Sequence, residues 1–502
     1  MDGSSSVLQA LRRESLDIYN RLHSIADDAQ FVAQVHASYP TTPLVPNLRC
    51  GAWYADPAIA STVPAYFKST DGHFNNWSFN LRRPNLQLLP LIAEYGSVIL
   101  VDSTRAGKRI PDALSKTAPI WCAAVSRAIA RRFPSSAKDA WDTALYTPPG
   151  AVSAQEHHQI TQRIDAWAEA LFKSSFDLPD LAAPLRPFWI TPATTTFPAL
   201  PDLKTSPPPF LPVLCLSASR QSDDARRPSG FAYIQGSGDD HELWSMGLTH
   251  THYWRHTSAL LAASRQELPQ LIQELVASDT GATPLNPDAK PVPTSTGSSS
   301  CPTTIKKTGG RMKLCTFFEL HAHEVDRDRD SDAYVLLPSP TSMTHTVHKH
   351  TLTLPLAPKS KTHLAQTLLP RALAFIGAHL AQGRNVCVVC GDVGIEDAVP
   401  DEGVAVLLAA LVVFFDWEGM LVGLEQKGEP RKQETDNADE GERLGGVEEA
   451  EAVESFVVQI PGTDKARIRT RLEWIIACRA GVNPARATLK RVNEFFMSGG
   501  RA

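Results

Sequence analysis

No run of eighteen uncharged apolar residues occurs in the 502-residue sequence. The longest apolar stretch, Val404–Phe415, suits a buried helix and not a membrane span. The opening MDGSSSVLQALRRESLD lacks the apolar core and cleavage site of a secretory signal, so a cytoplasmic protein with no membrane partner is expected. Cysteine is sparse: the eight residues show no framework spacing, which fits reduced thiols and excludes a small disulfide-stapled scaffold. Cys387 and Cys390 form a Cys-x-x-Cys, but Asn385–Cys390 reads as a strand. Residues three apart on a strand face opposite sides, so no zinc or redox role is expected there. The 29 Gly and 38 Pro have no three-residue period, which excludes a collagen-like chain. What is present is globular: 43% hydrophobic residues, ten Trp and nineteen Phe, over a length that suggests two or more domains.

The net charge is −5, yet its distribution is uneven. Between Lys68 and Lys138 eleven Lys and Arg stand against four acids, whereas Glu425–Glu454 holds eleven acids and four bases. The acidic segment has almost no large apolar residues and reads as a solvated, disordered insertion, 425–454. The basic stretch suits a polyanionic partner or an ordinary salt-bridged surface. Residues 281–310, rich in Pro, Ser and Thr without an apolar period, read as a linker. It separates an N-terminal domain, 1–280, from a C-terminal one, 311–502. Strand and helix signals alternate in both, predicting α/β layers. The main elements are helices over 15–35, 118–133, 362–382, 402–415, 465–478 and 485–496, and strands over 97–102 and 385–390.

Three segments carry the chemistry-bearing residues. In Val98–Arg109 a buried strand ends in Asp102 and delivers a turn, Ser103-Thr-Arg-Ala-Gly-Lys-Arg109. Gly107 permits a tight bend, and Arg105, Lys108 and Arg109 offset charge, so the loop suits a phosphate, or is a structural basic turn. The spacing Ser103-x5-Arg109 resembles the phosphate cradle of tyrosine phosphatases with Ser in place of their Cys nucleophile, which predicts binding without hydrolysis. It is also faintly similar to the donor loop of type I phosphoribosyltransferases, whose paired acids are reduced here to Asp102. In Tyr66–Asn80, His73, Asn75, Asn76 and Trp77 suit recognition of a base or sugar, or serve as turn caps and core. Lys68 and Lys116 are second candidates for phosphate. In Tyr233–Gly247, Asp239, Asp240 and His241 follow Gly-Ser-Gly; they suit a general base or Mg2+, or a helix cap.

Five ordered blocks then mark a family. PLVPNLRCGAWYADP (43–57), YFKSTDGHFNNWSFNLRR (66–83), VDSTRAGKRIPDALSKTAPIW (101–121), YIQGSGDDHELWSMGLT (233–249) and NPARATLKRVNEFFM (483–497) resemble the initiator tRNA phosphoribosyltransferases of fungi and plants. The resemblance implies transfer of a phosphoribosyl group from 5-phosphoribosyl-1-pyrophosphate to the 2′-hydroxyl of the purine nucleotide at position 64 of cytosolic initiator methionine tRNA. That mark reserves the tRNA for initiation and excludes it from elongation. It also implies a C-terminal domain resembling dual-specificity phosphatases. The sequence departs from the family there: Gly394 is followed by Ile395, and Glu396 stands where a phosphatase has Arg. A degenerate phosphate loop without phosphatase activity is therefore expected. For the transfer, Asp71, Asp102, Asp239, Asp240 and His241 are the candidate bases or ligands of Mg2+. Ser103, Thr104, Arg105, Gly107, Lys108 and Arg109 would hold the donor. A T stem is A-form, so shape, 2′-hydroxyl and phosphate contacts dominate, with Arg82, Arg83, Arg127, Arg131 and Arg132 as candidates. No DNA partner is expected. The rival classes are a non-catalytic RNA-binding protein and a phosphatase acting on RNA or nucleotides.

Overall fold

The computed structural model describes residues 16–48, 50–105, 107–201, 208–221, 230–279, 302–322, 332–338, 350–357, 362–391, 399–422, 463–479 and 482–497. The chain divides into one unit of Met1–Ser174 with Leu178–Ser295 and a second of Ser175–Asp177 with Thr296–Ala502. Most of the predicted linker, 281–301, the acidic insertion and the C-terminal loop with Gly394–Glu396 lie outside the described residues.

In the first unit, β1 (Leu44–Pro46), β2 (Val98–Asp102), β3 (Leu185–Ile190) and β4 (Leu211–Ser217) form a parallel sheet in the order β1-β2-β4-β3. Parallel strands covered on both faces become continuous apolar runs, and β2 and β4 are buried at every position. The register sets Pro46 beside Val101 and Asp102 beside Ser217, so three strands end together. On one side of β2, Ile99 and Val101 share a core with Leu22, Ile25 and Val32 of α1 (Ile18–Ser38). Tyr253 of α5 (His250–Ala262) and Ile272 of α6 (Leu268–Asp279) complete that core. Each such side chain contributes about 1.5–3 kcal/mol on burial. A separate cluster joins α3 (Ala118–Arg132) to α4 (Ala154–Lys173) through Ile120, Ala123, Ile160 and Ile164. Ser153 caps α4, its hydroxyl accepting from the Glu156 N–H at 3.2 Å. Between α2 (Leu88–Tyr95), β2 and α3 the chain makes a π turn, Ala113–Thr117, that the sequence pattern did not predict.

In the second unit the sheet runs β5-β6-β9-β7-β8. Its strands are β5 (Thr303–Thr304), β6 (Met312–Thr316), β7 (Asp332–Pro338), β8 (Thr351–Thr353) and β9 (Asn385–Gly391). Only the β5–β6 pair is antiparallel. The end of the segment read as linker is therefore built into this sheet, because two β-branched threonines supply an edge strand. After α7 (Phe317–Ala322), the helix predicted from Thr362 opens with a π turn, Leu364–Leu368, and continues as α8 (Leu369–Ala381). The next helix, α9 (Asp401–Phe414), is buried continuously from Gly403 to Phe414, which marks it as a central helix. Its last carbonyls need donors, and α10 (Lys465–Cys478) supplies them. Arg467 reaches the Val412 carbonyl at 2.8 Å, and buried Arg471 reaches Leu411 at 3.2 Å and Phe415 at 3.1 Å. The last described helix is α11 (Arg486–Met497). Cys387 and Cys390 are both buried, Cys387 3.4 Å from Cys315 and Cys390 beneath Gly403.

Candidate active site

The joint ends of β1, β2 and β4 open on a cavity of about 390 Å³. In open parallel sheets the carboxyl ends of the strands are where ligands bind. Its lining draws on all three predicted segments: Asp102, Ser103, Thr104, Arg105 and Lys108 from the first, His73 from the second and Asp239 from the third. Cys50, Ser69, Thr70, Pro111 and Asp112 complete it.

Asp102 is held from below. Asn47, just past β1, donates to its Oδ2 at 2.9 Å, and the Cys50 thiol donates to its Oδ1 at 2.7 Å. The same Asn47 amide brackets Phe67, accepting its N–H at 2.7 Å and donating to its carbonyl at 2.9 Å. Burial pushes the Asp102 carboxyl up to about 6, against the hydrogen bonds from Cys50 and Asn47 that favour its ionised form. Burial, with Asp102 beside it, pushes the Cys50 thiol well up, so it is a donor and not a nucleophile.

The wall opposite is an ion ladder. Asp112 meets Lys108 at 2.5 Å, Lys116 at 3.0 Å and His73 at 3.8 Å. Burial acts to raise the Asp112 carboxyl, but hydrogen bonds from Lys108 and Lys116 outweigh it and hold the group below its usual range. Lys116 also meets Glu156 at 3.0 Å, and that Glu156 oxygen accepts from the Trp77 indole at 2.9 Å. Lys116 is therefore a buried strut within the π turn, paired with two carboxylates, and Trp77 is buried in the cluster between α3 and α4. Asp239 and Asp240 pair with Arg105 at 3.2 and 3.3 Å, holding that guanidinium at the mouth. The third segment lies close under the loop because Gly236 (φ +70°) lacks a side chain; a Cβ there would stand 2.6 Å from the Thr104 carbonyl.

Other predicted residues lie elsewhere. Gly107 takes φ +90° at an exposed turn, after which the Arg109 side chain is exposed and absent from the lining; its carbonyl accepts from Ser217 at 3.0 Å. Lys68 and Asp71 line a separate small recess, where Asp71 pairs with Arg83 at 2.9 Å. Asn75 adopts φ +61°, and Asn76 donates to the Thr70 carbonyl at 2.9 Å, both shaping the turn that carries His73. His241 is partly buried, its ring 5.9 Å from Trp53. The Arg82 N–H donates to Asn80 at 3.0 Å. Arg127 and Arg131 pair with Asp165 at 3.1 and 3.0 Å, Arg131 also meets Glu169 at 2.8 Å, and Arg132 donates to the Phe172 carbonyl at 2.6 Å. The basic row of α3 thus faces acids on α4.

Sequence reasoning missed Asn47, Cys50, Asp112 and Glu156. Glu156 did carry a signal, since Ser153-x-x-Glu156 has capping-box spacing, but that signal speaks only of a helix start. Among the described residues no cluster of three or more His, Cys, Asp or Glu is placed to hold a metal, so a Mg2+ ion here would be held by one or two carboxylates together with the phosphates of its substrate. Asp112 already faces two lysines, and no chemical step is routed through a protein-held ion.

Residues 11–277 match the family model described as the Rit1 N-terminal domain, and 349–496 the one described as the Rit1 DUSP-like domain. The chain is 37% identical over 295 residues to the tRNA A64-2′-O-ribosylphosphate transferase of Saccharomyces cerevisiae, covering 54% of this chain and 57% of that protein. It is 43% identical over 265 residues to the uncharacterized protein C3F10.06c of Schizosaccharomyces pombe, covering 52% of this chain and 56% of that one. The matches span just over half the length of these curated relatives. No solved structure matches. With the first family model matching more than half of the sequence, and on the segments that build the cavity, the chain belongs to the Rit1 family.

Proposed function

We propose that this chain transfers a phosphoribosyl group from 5-phosphoribosyl-1-pyrophosphate to the 2′-hydroxyl of the purine nucleotide at position 64 of cytosolic initiator methionine tRNA. The observation that carries the reading is the convergence of three sequence-distant segments on one cavity at the strand ends, with cations at its mouth and a carboxylate at its floor. In this reading Arg105 and Lys108 hold the phosphates of the donor and stabilise the charge that develops on departing pyrophosphate. Asp102 accepts the proton of the 2′-hydroxyl as the bond from that oxygen to the ribosyl C1 forms and the bond to pyrophosphate breaks. A carboxyl raised to about 6 is a stronger base than an ordinary one, yet ionised at neutral pH. Asn47, Cys50 and the Ser103 N–H keep it oriented, and of the four lone pairs on its two oxygens one is left beyond those bonds. His73, at the rim, contacts the acceptor sugar or base.

The test is single-turnover incubation of the purified full chain with radiolabelled donor and Mg2+, offering unmodified initiator and elongator tRNAs separately. Label entering the initiator alone, mapped to position 64, is the expected outcome. Salt-sensitive tRNA binding with no label transferred under any condition overturns the reading in favour of a non-catalytic RNA binder.

A further inference from the structure

Behind the loop runs a buried chain of hydroxyls that the transfer mechanism does not use. Asp28, on α1, is 3% exposed. Ser219 stands 2.5 Å from its Oδ2 and Tyr233 2.8 Å from its Oδ1. Ser219 is in turn 2.5 Å from the Ser103 hydroxyl, which lines the cavity. The Gly236 N–H donates to Ser219 at 3.2 Å, and the Gly238 N–H to the Tyr54 hydroxyl at 2.7 Å. Tyr54 is itself hydrogen-bonded to Ser103.

We propose that Asp28 is a positioning residue that acts through Ser219 to decide whether Ser103 offers a hydrogen or a lone pair to a bound phosphate. This rests on the reading of loop 103–109 as the donor's phosphate site. The argument is a count of hydrogens. A serine hydroxyl has one hydrogen and two lone pairs. One lone pair of Ser219 is taken by Gly236. When Asp28 is ionised, Ser219 donates to it and uses its second lone pair for the Ser103 hydrogen, which then points inward. When Asp28 is protonated, its O–H donates to Ser219, and Ser219 donates to Ser103. The Ser103 hydrogen is then released from Ser219, and between the Tyr54 phenol and an anion in the cavity the charged acceptor is the stronger.

Both states are accessible near neutrality. Burial pushes the Asp28 carboxyl up to about 8, against hydrogen bonds from Ser219 and Tyr233 and the charge of Arg220, while neighbouring Asp27 pushes the same way as burial. Among the described residues Tyr54 also faces it, a phenol held neutral by burial. Below about pH 8 the chain therefore points the hydrogen at the ligand. Above it, Ser103 presents a lone pair with a buried negative charge behind it, and anion binding weakens.

The experiment measures inorganic pyrophosphate binding to the full chain by calorimetry from pH 6.5 to 9.5, for wild type, Asp28→Asn and Ser219→Ala. Titration of the ligand itself is common to all three, so differences between the profiles report the chain. Wild type is expected to lose about tenfold in affinity across pH 8, the weight of one hydrogen bond to an anion. Asp28→Asn, whose amide always donates, and Ser219→Ala, which cuts the chain, are expected to lack that step. Should Asp28→Asn fail to fold by circular dichroism, Ser219→Ala carries the comparison. Wild-type binding that is flat across pH 8, or a step that persists in the folded variants, overturns the inference alone. Absence of pyrophosphate binding at every pH overturns the phosphate-loop reading and this inference with it.

Discussion

The two parallel sheets of this chain differ at the ends of their central strands. In the first unit β2 ends in a carboxylate whose partners, Asn47 and Cys50, come from the loop after β1, and space is left above it. In the second, the last side chain of β9 before Gly391 is a thiol: Cys390 is fully buried and closely covered by Gly403 of α9. Both strands are apolar along their length, so the difference lies in one or two residues at the exit. A buried carboxylate demands partners and gathers polar neighbours around it; a buried thiol tolerates close packing and gathers none.

The largest effects are expected where the first strand end is altered. Asp102→Asn should lower single-turnover transfer about 100-fold to 10,000-fold, the range for loss of a general base, with tRNA affinity kept in a filter-binding assay. In the wild type, the rate should rise with pH through about 6 as Asp102 ionises; a rate independent of pH between 5 and 7 would remove it as the base. Arg105→Ala should cost about 100-fold to 1000-fold, while Arg109→Ala, whose side chain lies outside the lining, should transfer like wild type. Equal losses in the two variants would show that the loop closes differently around the donor.

A matched pair of glycines sharpens the comparison. Gly403→Ala would place a Cβ against Cys390 and should destabilise the second unit by about 1–3 kcal/mol in urea, leaving pyrophosphate binding unchanged. Gly236→Ala, by contrast, pushes on Thr104 and should weaken pyrophosphate binding. Next in size, Glu156→Gln leaves buried Lys116 with a weaker partner and should cost about 1–3 kcal/mol, read from the urea midpoint. The smallest effect belongs to Arg131→Ala on the α3–α4 surface, expected within about 1 kcal/mol.

Local signals made much of the fold legible. The bounds of α10 follow directly from its pattern, and β2 and β9 stand out as apolar runs because sheets buried on both faces leave nothing else for them to be. β1 went unseen, since three residues are too few to show a period, and Asn47 and Cys50 went unseen with it. The cavity segments were readable as polar clusters, but not the division of labour within them. Lys116 looked like an anion ligand because Glu156, forty residues later, cannot be paired with it by spacing. Arg109 looked like its neighbours because the positive φ of Gly107, which precedes the exposed end of the loop, is a property of the folded loop.

The strand order β1-β2-β4-β3 has a further consequence, for the birth of the protein. β2 sits between a neighbour made early and one made more than a hundred residues later. Until β4 and the Gly236–Asp239 segment leave the ribosome, Asp102 has one side of its cradle, and Arg105 lacks the acids that hold it. Pairings of such long sequence separation form late and all at once. A nascent or truncated chain that already carries the whole 103–109 loop should thus be inert, and competence should appear abruptly once the first unit is complete.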